Sequence, residues 1–136
     1  MVHLDIPHNI VAQFREHAPD GWVRIGVMRE QMQGDDIVES GIDIVAVWTP
    51  SGIETASTTL LPAQLEFETL DAYLETLPTG WRRLEFFISI NGDVKADLAT
   101  GQLRPADYLT DDAFFGAFDA QAKELEALGR QFYGEA

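Results

Sequence analysis

The sequence predicts an α+β domain: one five-stranded, mainly antiparallel sheet with helices packed on it, in the order α-β-β-β-α-β-β-α. Three observations carry this. Apolar residues alternate with period two over several short stretches, which is the mark of half-buried strands. Those stretches follow one another through short Gly-, Pro- and Asn-containing turns, so neighbouring strands run antiparallel. Helical spacing of apolar residues appears before, between and after them, and runs of strands between helices belong to α+β rather than parallel α/β folds. With 136 residues, the chain reads as a single domain over 1–136, large enough to bury a core.

The first helix is expected to open at Leu4-Asp5-Ile6-Pro7, since proline suits a first helical turn. Ile6, Ile10, Phe14 and Ala18 then form one stripe, and Pro19-Asp20-Gly21 ends it. Trp22 to about Met32 reads as a strand, with Val23, Ile25 and Val27 alternating. Ile42 to Trp48 is apolar on nearly both faces and is expected to be a central strand covered on both sides. Asp43 is the odd member and is placed at that strand's start. Thr49-Pro50-Ser51-Gly52 turns the chain into a third strand, from Ile53 to about Leu60, whose threonines and serine suit a half-exposed edge. A helix at about residues 67–77 follows, with Leu70, Leu74 and Leu77 as its stripe.

Pro78 to Leu98 reads as a β-hairpin with Asn91-Gly92 at its tip. A two-residue turn there would mix apolar and charged residues on both faces. A three-residue loop, Ile90-Asn91-Gly92, instead opposes Ile88 with Val94, Phe86 with Ala96 and Leu84 with Leu98. It requires Gly92 at positive φ. The segment Gly101 to Leu109 looks irregular. Thr110 or Asp111 is expected to cap one long final helix, about Asp112 to Tyr133, with Phe114, Phe118, Ala122, Leu125, Leu128 and Phe132 on its buried face. The opening Pro-x-Gly-Trp-x-Arg occurs twice, at Pro19 and at Pro78. Either an internal duplication or convergence on one helix-stop, strand-start recipe explains it.

Charge limits function. There are 23 acidic residues against 9 basic ones, and no Lys or Arg stands between Arg29 and Arg82. Phosphate binding depends on Lys and Arg, so neither a nucleic acid nor an anionic membrane suits that interval. No stretch is apolar and long enough to span a bilayer, and no export signal opens the chain, so a cytoplasmic location is expected. The chain has no cysteine, which removes disulfides, thiolate metal sites and cysteine nucleophiles. His3, His8 and His17 lack the spacing of a metal pair on one helix face, and Asp35, Asp36 and Glu39 lack that of a calcium loop. No Gly-rich phosphate loop precedes a helix, and no serine stands in a nucleophile elbow. The expectation is a protein that is not an enzyme, with no catalytic residues, cofactor or metal. The acids of the arginine-free interval are the candidate partner-binding residues: Asp35, Asp36, Glu39 and Asp43 first, then Glu66, Glu68 and Asp71. They would steer a basic partner.

Three segments resemble the YezG-like (DUF600) immunity proteins of bacterial polymorphic toxin systems. These are Gly21-Trp22 leading into a strand; an apolar strand ending at Thr49-Pro50 and re-entering one that ends near Pro62; and Trp81-Arg82-Arg83-Leu84-Glu85-Phe86-Phe87-Ile88-Ser89-Ile90-Asn91-Gly92-Asp93-Val94. Beyond Val94 the chain differs, with Lys95-Ala96-Asp97-Leu98 where that family has an aromatic-acidic run. The resemblance implies a cytoplasmic protein that binds a cognate toxin, often a nuclease, and blocks it. The alternative is a small-molecule-binding or regulatory module, marked by an apolar pocket that exposes Trp22, Trp48 or Trp81.

Overall fold

The computed structural model describes residues 2–106 and 111–134, and for Asp111 and Asp112 the backbone alone. It is an α+β fold with one mainly antiparallel sheet. The elements are β1 (Val2–His3), α1 (His8–Glu16), β2 (Trp22–Gln33), β3 (Ile37–Thr49), β4 (Gly52–Ser57), α2 (Ala63–Glu66), a π-helical turn (Phe67–Asp71), α3 (Ala72–Leu74), β5 (Trp81–Ser89), β6 (Val94–Thr100), β7 (Arg104–Pro105), α4 (Asp111–Asp119) and α5 (Ala122–Tyr133).

The sheet has seven strands in the order β1-β6-β5-β2-β3-β4, with β7 pairing parallel to the end of β2. This corrects the expected five. The two additional strands are two-residue pieces: Val2 and His3 pair with Leu98 and Asp97, and Arg104 and Pro105 pair with Met32 and Gln33. The expected meander is present as β2-β3-β4, and β4 lies on the sheet's edge. Ile42–Trp48 lies in β3, an interior strand between β2 and β4 that is covered on both faces as expected, and β2 beside it is buried along nearly its whole length. Asp43 is not at a strand start. It sits in the middle of β3, opposite Val27, and is 6% exposed.

The hairpin has the bulged geometry that side-chain parity requires. Ile88 opposes Val94, Phe86 opposes Ala96 and Leu84 opposes Leu98. Gly92 has φ +99°, and Ser89 N–H donates to the Asp93 carbonyl at 2.9 Å. The two Pro-x-Gly-Trp copies share one local geometry. Gly21 and Gly80 have φ +80° and +87°. Trp22 and Trp81 each donate a main-chain N–H back to the preceding proline carbonyl. Each tryptophan is followed by a register shift before the arginine, Arg24 or Arg83.

The sheet is covered on both faces. On one, Ile25, Val27, Val45, Leu84, Phe86 and Ile88 pack with Ile10 and Phe14 of α1 and with Leu70 and Leu74. On the other, Met28, Ile44 and Ala46 pack with Phe114 and Phe118 of α4 and Leu125 and Leu128 of α5. Pro7 stands just before α1, with ψ 140°, not within its first turn. The middle helix begins at Ala63, earlier than expected, and is interrupted by the π-helical turn.

The single final helix is also corrected. It breaks at Ala120-Gln121, where Gln121 N–H donates to the Phe118 carbonyl, a tighter i−3 bond. The break re-aims the apolar stripe. α5 buries Leu125, Leu128 and Gly129, while Ala122 and Phe132 are exposed. The expected caps do not bear on this: Thr110 and the Asp111 side chain lie outside the described residues.

Candidate functional site

The site grows from an arginine in an apolar strand. Alternation along β2 sends Arg29 to the face shared by Ile25 and Val27. Its cross-strand neighbour is Gly41, and a Cβ there would stand 2.4 Å from Arg29 Cδ. The missing side chain is therefore what lets the arginine stem lie across β3. Its guanidinium Nη1 donates to Asp43 Oδ1 and to the Met28 carbonyl, both at 2.8 Å. Nη2 donates to Glu66 Oε1, at the end of α2. Arg29 and Asp43 are both buried, so each needs the other: an unpaired charge at that depth is costly.

Around this pair opens a cleft of about 510 Å³, walled by β3, by Ser57, Thr58 and Thr59, and by the helical segment bearing Glu66 and Asp71. Four carboxylates line it (Glu39, Asp43, Glu66 and Asp71) against the single guanidinium of Arg29. Burial first, and crowding by other carboxylates second, hold Glu39, Asp43 and Asp71 above their ordinary values. Burial raises the Glu39 carboxyl above its ordinary range, and Asp71 and Glu66 raise it further against the pull of Arg29. Asp71 is raised by burial and by Glu66, again with Arg29 opposing. Asp43 is raised by its burial despite Arg29. Burial works against charge on Arg29, but Asp43 and Glu66 outweigh it and keep the guanidinium charged.

These shifts predict a pH dependence. An acid with a raised folded-state pKa binds more protons folded than unfolded, so its contribution to stability is present below the unfolded pKa and is lost as pH rises through the folded one. Mild acidification from neutrality towards the ordinary carboxylate range should therefore raise the denaturation midpoint. A Glu39→Gln/Asp71→Asn double variant should show a flatter profile over the same interval. Urea titrations at a series of pH values check this; parallel profiles for the two proteins would contradict it.

The candidate residues from the sequence thus divide. Glu39, Asp43, Glu66 and Asp71 come together around one cleft, although they come from both acidic groups. Asp35 and Asp36 stand apart on the exposed β2–β3 turn, and Glu68 is exposed on the π-helical turn. Asp43 is engaged by Arg29, so it supports the cleft rather than presenting a free charge. Among the described residues no group of three or more His, Cys, Asp or Glu side chains has an arrangement that would hold a metal ion.

Sequence reasoning missed the buried arginines. Arg29 was legible in principle, since it shares the inward parity of Ile25 and Val27 and so had to find a buried acid. Arg24, on the opposite face, donates to Ser89 Oγ at 2.7 Å and also holds Gln121, at the break before α5, and Glu124 of α5. Its hydrogen bond, and then its charge, lowers the Glu124 pKa, with Lys95 assisting. Arg24, Ser89, Lys95, Gln121 and Glu124 all border a second cleft of about 380 Å³. Arg83 donates to Glu30 Oε1 at 3.0 Å and to Glu85. Glu30 is fully buried, and among the described residues its Oε2 has no hydrogen-bond partner. Trp22 and Trp81 belong to the core, and Trp48 is half-buried against α5, with its ring over Gly129.

Compared with known proteins, the chain matches no family model, no curated protein and no solved structure. No helix among the described residues is long and apolar enough to cross a membrane.

Proposed function

We propose that the chain is a non-catalytic immunity or antitoxin-like protein that binds and neutralises a basic toxin, such as a nuclease, in the cytoplasm. The observation that carries this reading is the cleft in which Glu39 and Asp71 stand beside an arginine already committed to Asp43 and Glu66. Burial first, and neighbouring carboxylates second, raise the Glu39 and Asp71 carboxyls, and an arriving Lys or Arg offsets that cost of charging them. A nuclease presents such cations, because it must hold phosphate. With a net charge of −14, the surrounding field speeds that encounter and makes it salt-dependent. The motif resemblance at Gly21-Trp22, Thr49-Pro50 and Trp81–Val94 points to the same class of protein.

The test is protection. A basic toxin encoded beside the gene is co-expressed with the chain, and growth is followed. Wild-type protein should rescue growth, while Glu39→Gln/Asp71→Asn should rescue poorly with its fold intact. Equal rescue by both proteins would remove the cleft from the interface.

A further inference from the structure

β4 is an open edge. Among the described residues it ends the sheet, and no strand pairs with its outer side. Thr58 N–H donates to the Asp43 carbonyl at 3.0 Å, and Asp43 and Thr58 continue the antiparallel register of Ile44 with Ser57. Alternation from that bonded pair turns the main-chain groups of Ile53, Thr55 and Ser57 outward. Edge strands of monomeric proteins are usually blunted by charged side chains, above all lysine, by proline or by a bulge. β4, Gly52-Ile53-Glu54-Thr55-Ala56-Ser57, has no lysine, proline or bulge, its one charge is Glu54, and its pairing with β3 is regular. Glu54 to Ser57 are exposed, and the strand runs directly into Ser57, Thr58 and Thr59 on the rim of the acidic cleft.

We infer that a basic, extended segment of the partner adds to β4 as a further antiparallel or parallel strand, with one of its Lys or Arg side chains entering the cleft. Main-chain hydrogen bonds would supply affinity and the cleft specificity, the division of labour seen wherever a peptide extends a sheet. Charge selects the occupant. β3 and β4 carry no Lys or Arg at all, whereas Glu54 stands on the edge strand and Glu39 and Asp43 on its neighbour. A second copy of the chain would bring like charges, Glu54 included, against each other; a cationic strand relieves them. The inference rests on the reading of the cleft as a receptor for a basic partner.

The probe is a short synthetic peptide alternating lysine and threonine. Its companion is the same peptide N-methylated on the residues that would face β4. Binding is read from the amides of Ile53, Thr55 and Ser57, which should gain protection from hydrogen exchange. Thr55→Pro removes an outward donor without touching the bonds to β3. It should leave the thermal midpoint nearly unchanged and weaken binding about tenfold, as should N-methylation. If both leave affinity intact while Glu39→Gln/Asp71→Asn abolishes it, strand addition is wrong and the acidic receptor stands. If no peptide binds, both fail. If the free protein sediments as a dimer that Thr55→Pro dissociates, β4 pairs with a second copy and the inference is overturned.

Discussion

Asp43→Ala is expected to destabilise the fold by about 3–5 kcal/mol, because it strands the Arg29 guanidinium at a buried position. Asp43 is 6% exposed and Arg29 7%, and the stem of Arg29 is held across Gly41. Glu66 still accepts from Nη2, which places the cost towards the lower end. Such a loss is a large share of a total stability of roughly 5–15 kcal/mol. The pair is required as a pair, however. Replacing both members, as Arg29→Met/Asp43→Leu, removes two desolvated charges together and should recover most of the loss. Urea denaturation of the two single variants and the double one checks this. Nearly additive losses would contradict it.

Phe118→Ala should cost about 3–5 kcal/mol, the range for removing a fully buried phenylalanine. Phe118 is 0% exposed. Its ring centroid lies 5.6 Å from that of Phe87 and 6.3 Å from that of Phe114. It rests on Gly26 of β2, where a Cβ would come within 2.2 Å of Phe118 Cε2. Gly26 is therefore the seat of α4 on the sheet. Gly26→Ala should cost about 1–3 kcal/mol by overpacking. The smaller ring-free side chain of Phe118→Leu should soften that penalty, so the two substitutions should couple in a double-mutant cycle. Strict additivity would show that α4 does not dock through this contact.

What was legible in the sequence follows the range of the interactions. The bulged turn at Gly92 is decided by residues within a few positions of each other, since parity alone fixes Ile88 opposite Val94. The β2-β3-β4 meander needs only short turns. β1 and β7 were illegible, because a two-residue strand has no period and exists only through partners far along the chain, Leu98 for Val2 and Met32 for Arg104. The break between α4 and α5 is similarly long-range. A continuous helical pattern crosses it, but Arg24, on a strand nearly a hundred residues earlier in the chain, holds the side chain of Gln121. Asp43 stood out as an acid in an apolar run, and only the register of β2 on β3 supplies its partner. The candidate acids were visible as two groups. Their convergence depends on α2 and the π-helical turn packing over the same face of β3, which no local pattern encodes.

On the proposed reading, the cleft receives a cation from a partner. Burial, and then crowding by other carboxylates, raise the Glu39 and Asp71 carboxyls, so a cation bound beside them is expected to lower those values and release protons. Calorimetric titration with an arginine-rich peptide measures this directly, in two buffers of different ionisation enthalpy, at a mildly acidic pH just above the ordinary carboxylate range. The wild-type protein should show a buffer-dependent enthalpy that reports net proton release, and Glu39→Gln/Asp71→Asn should not. Binding whose enthalpy is the same in both buffers, or proton release that persists in the double variant, would contradict it.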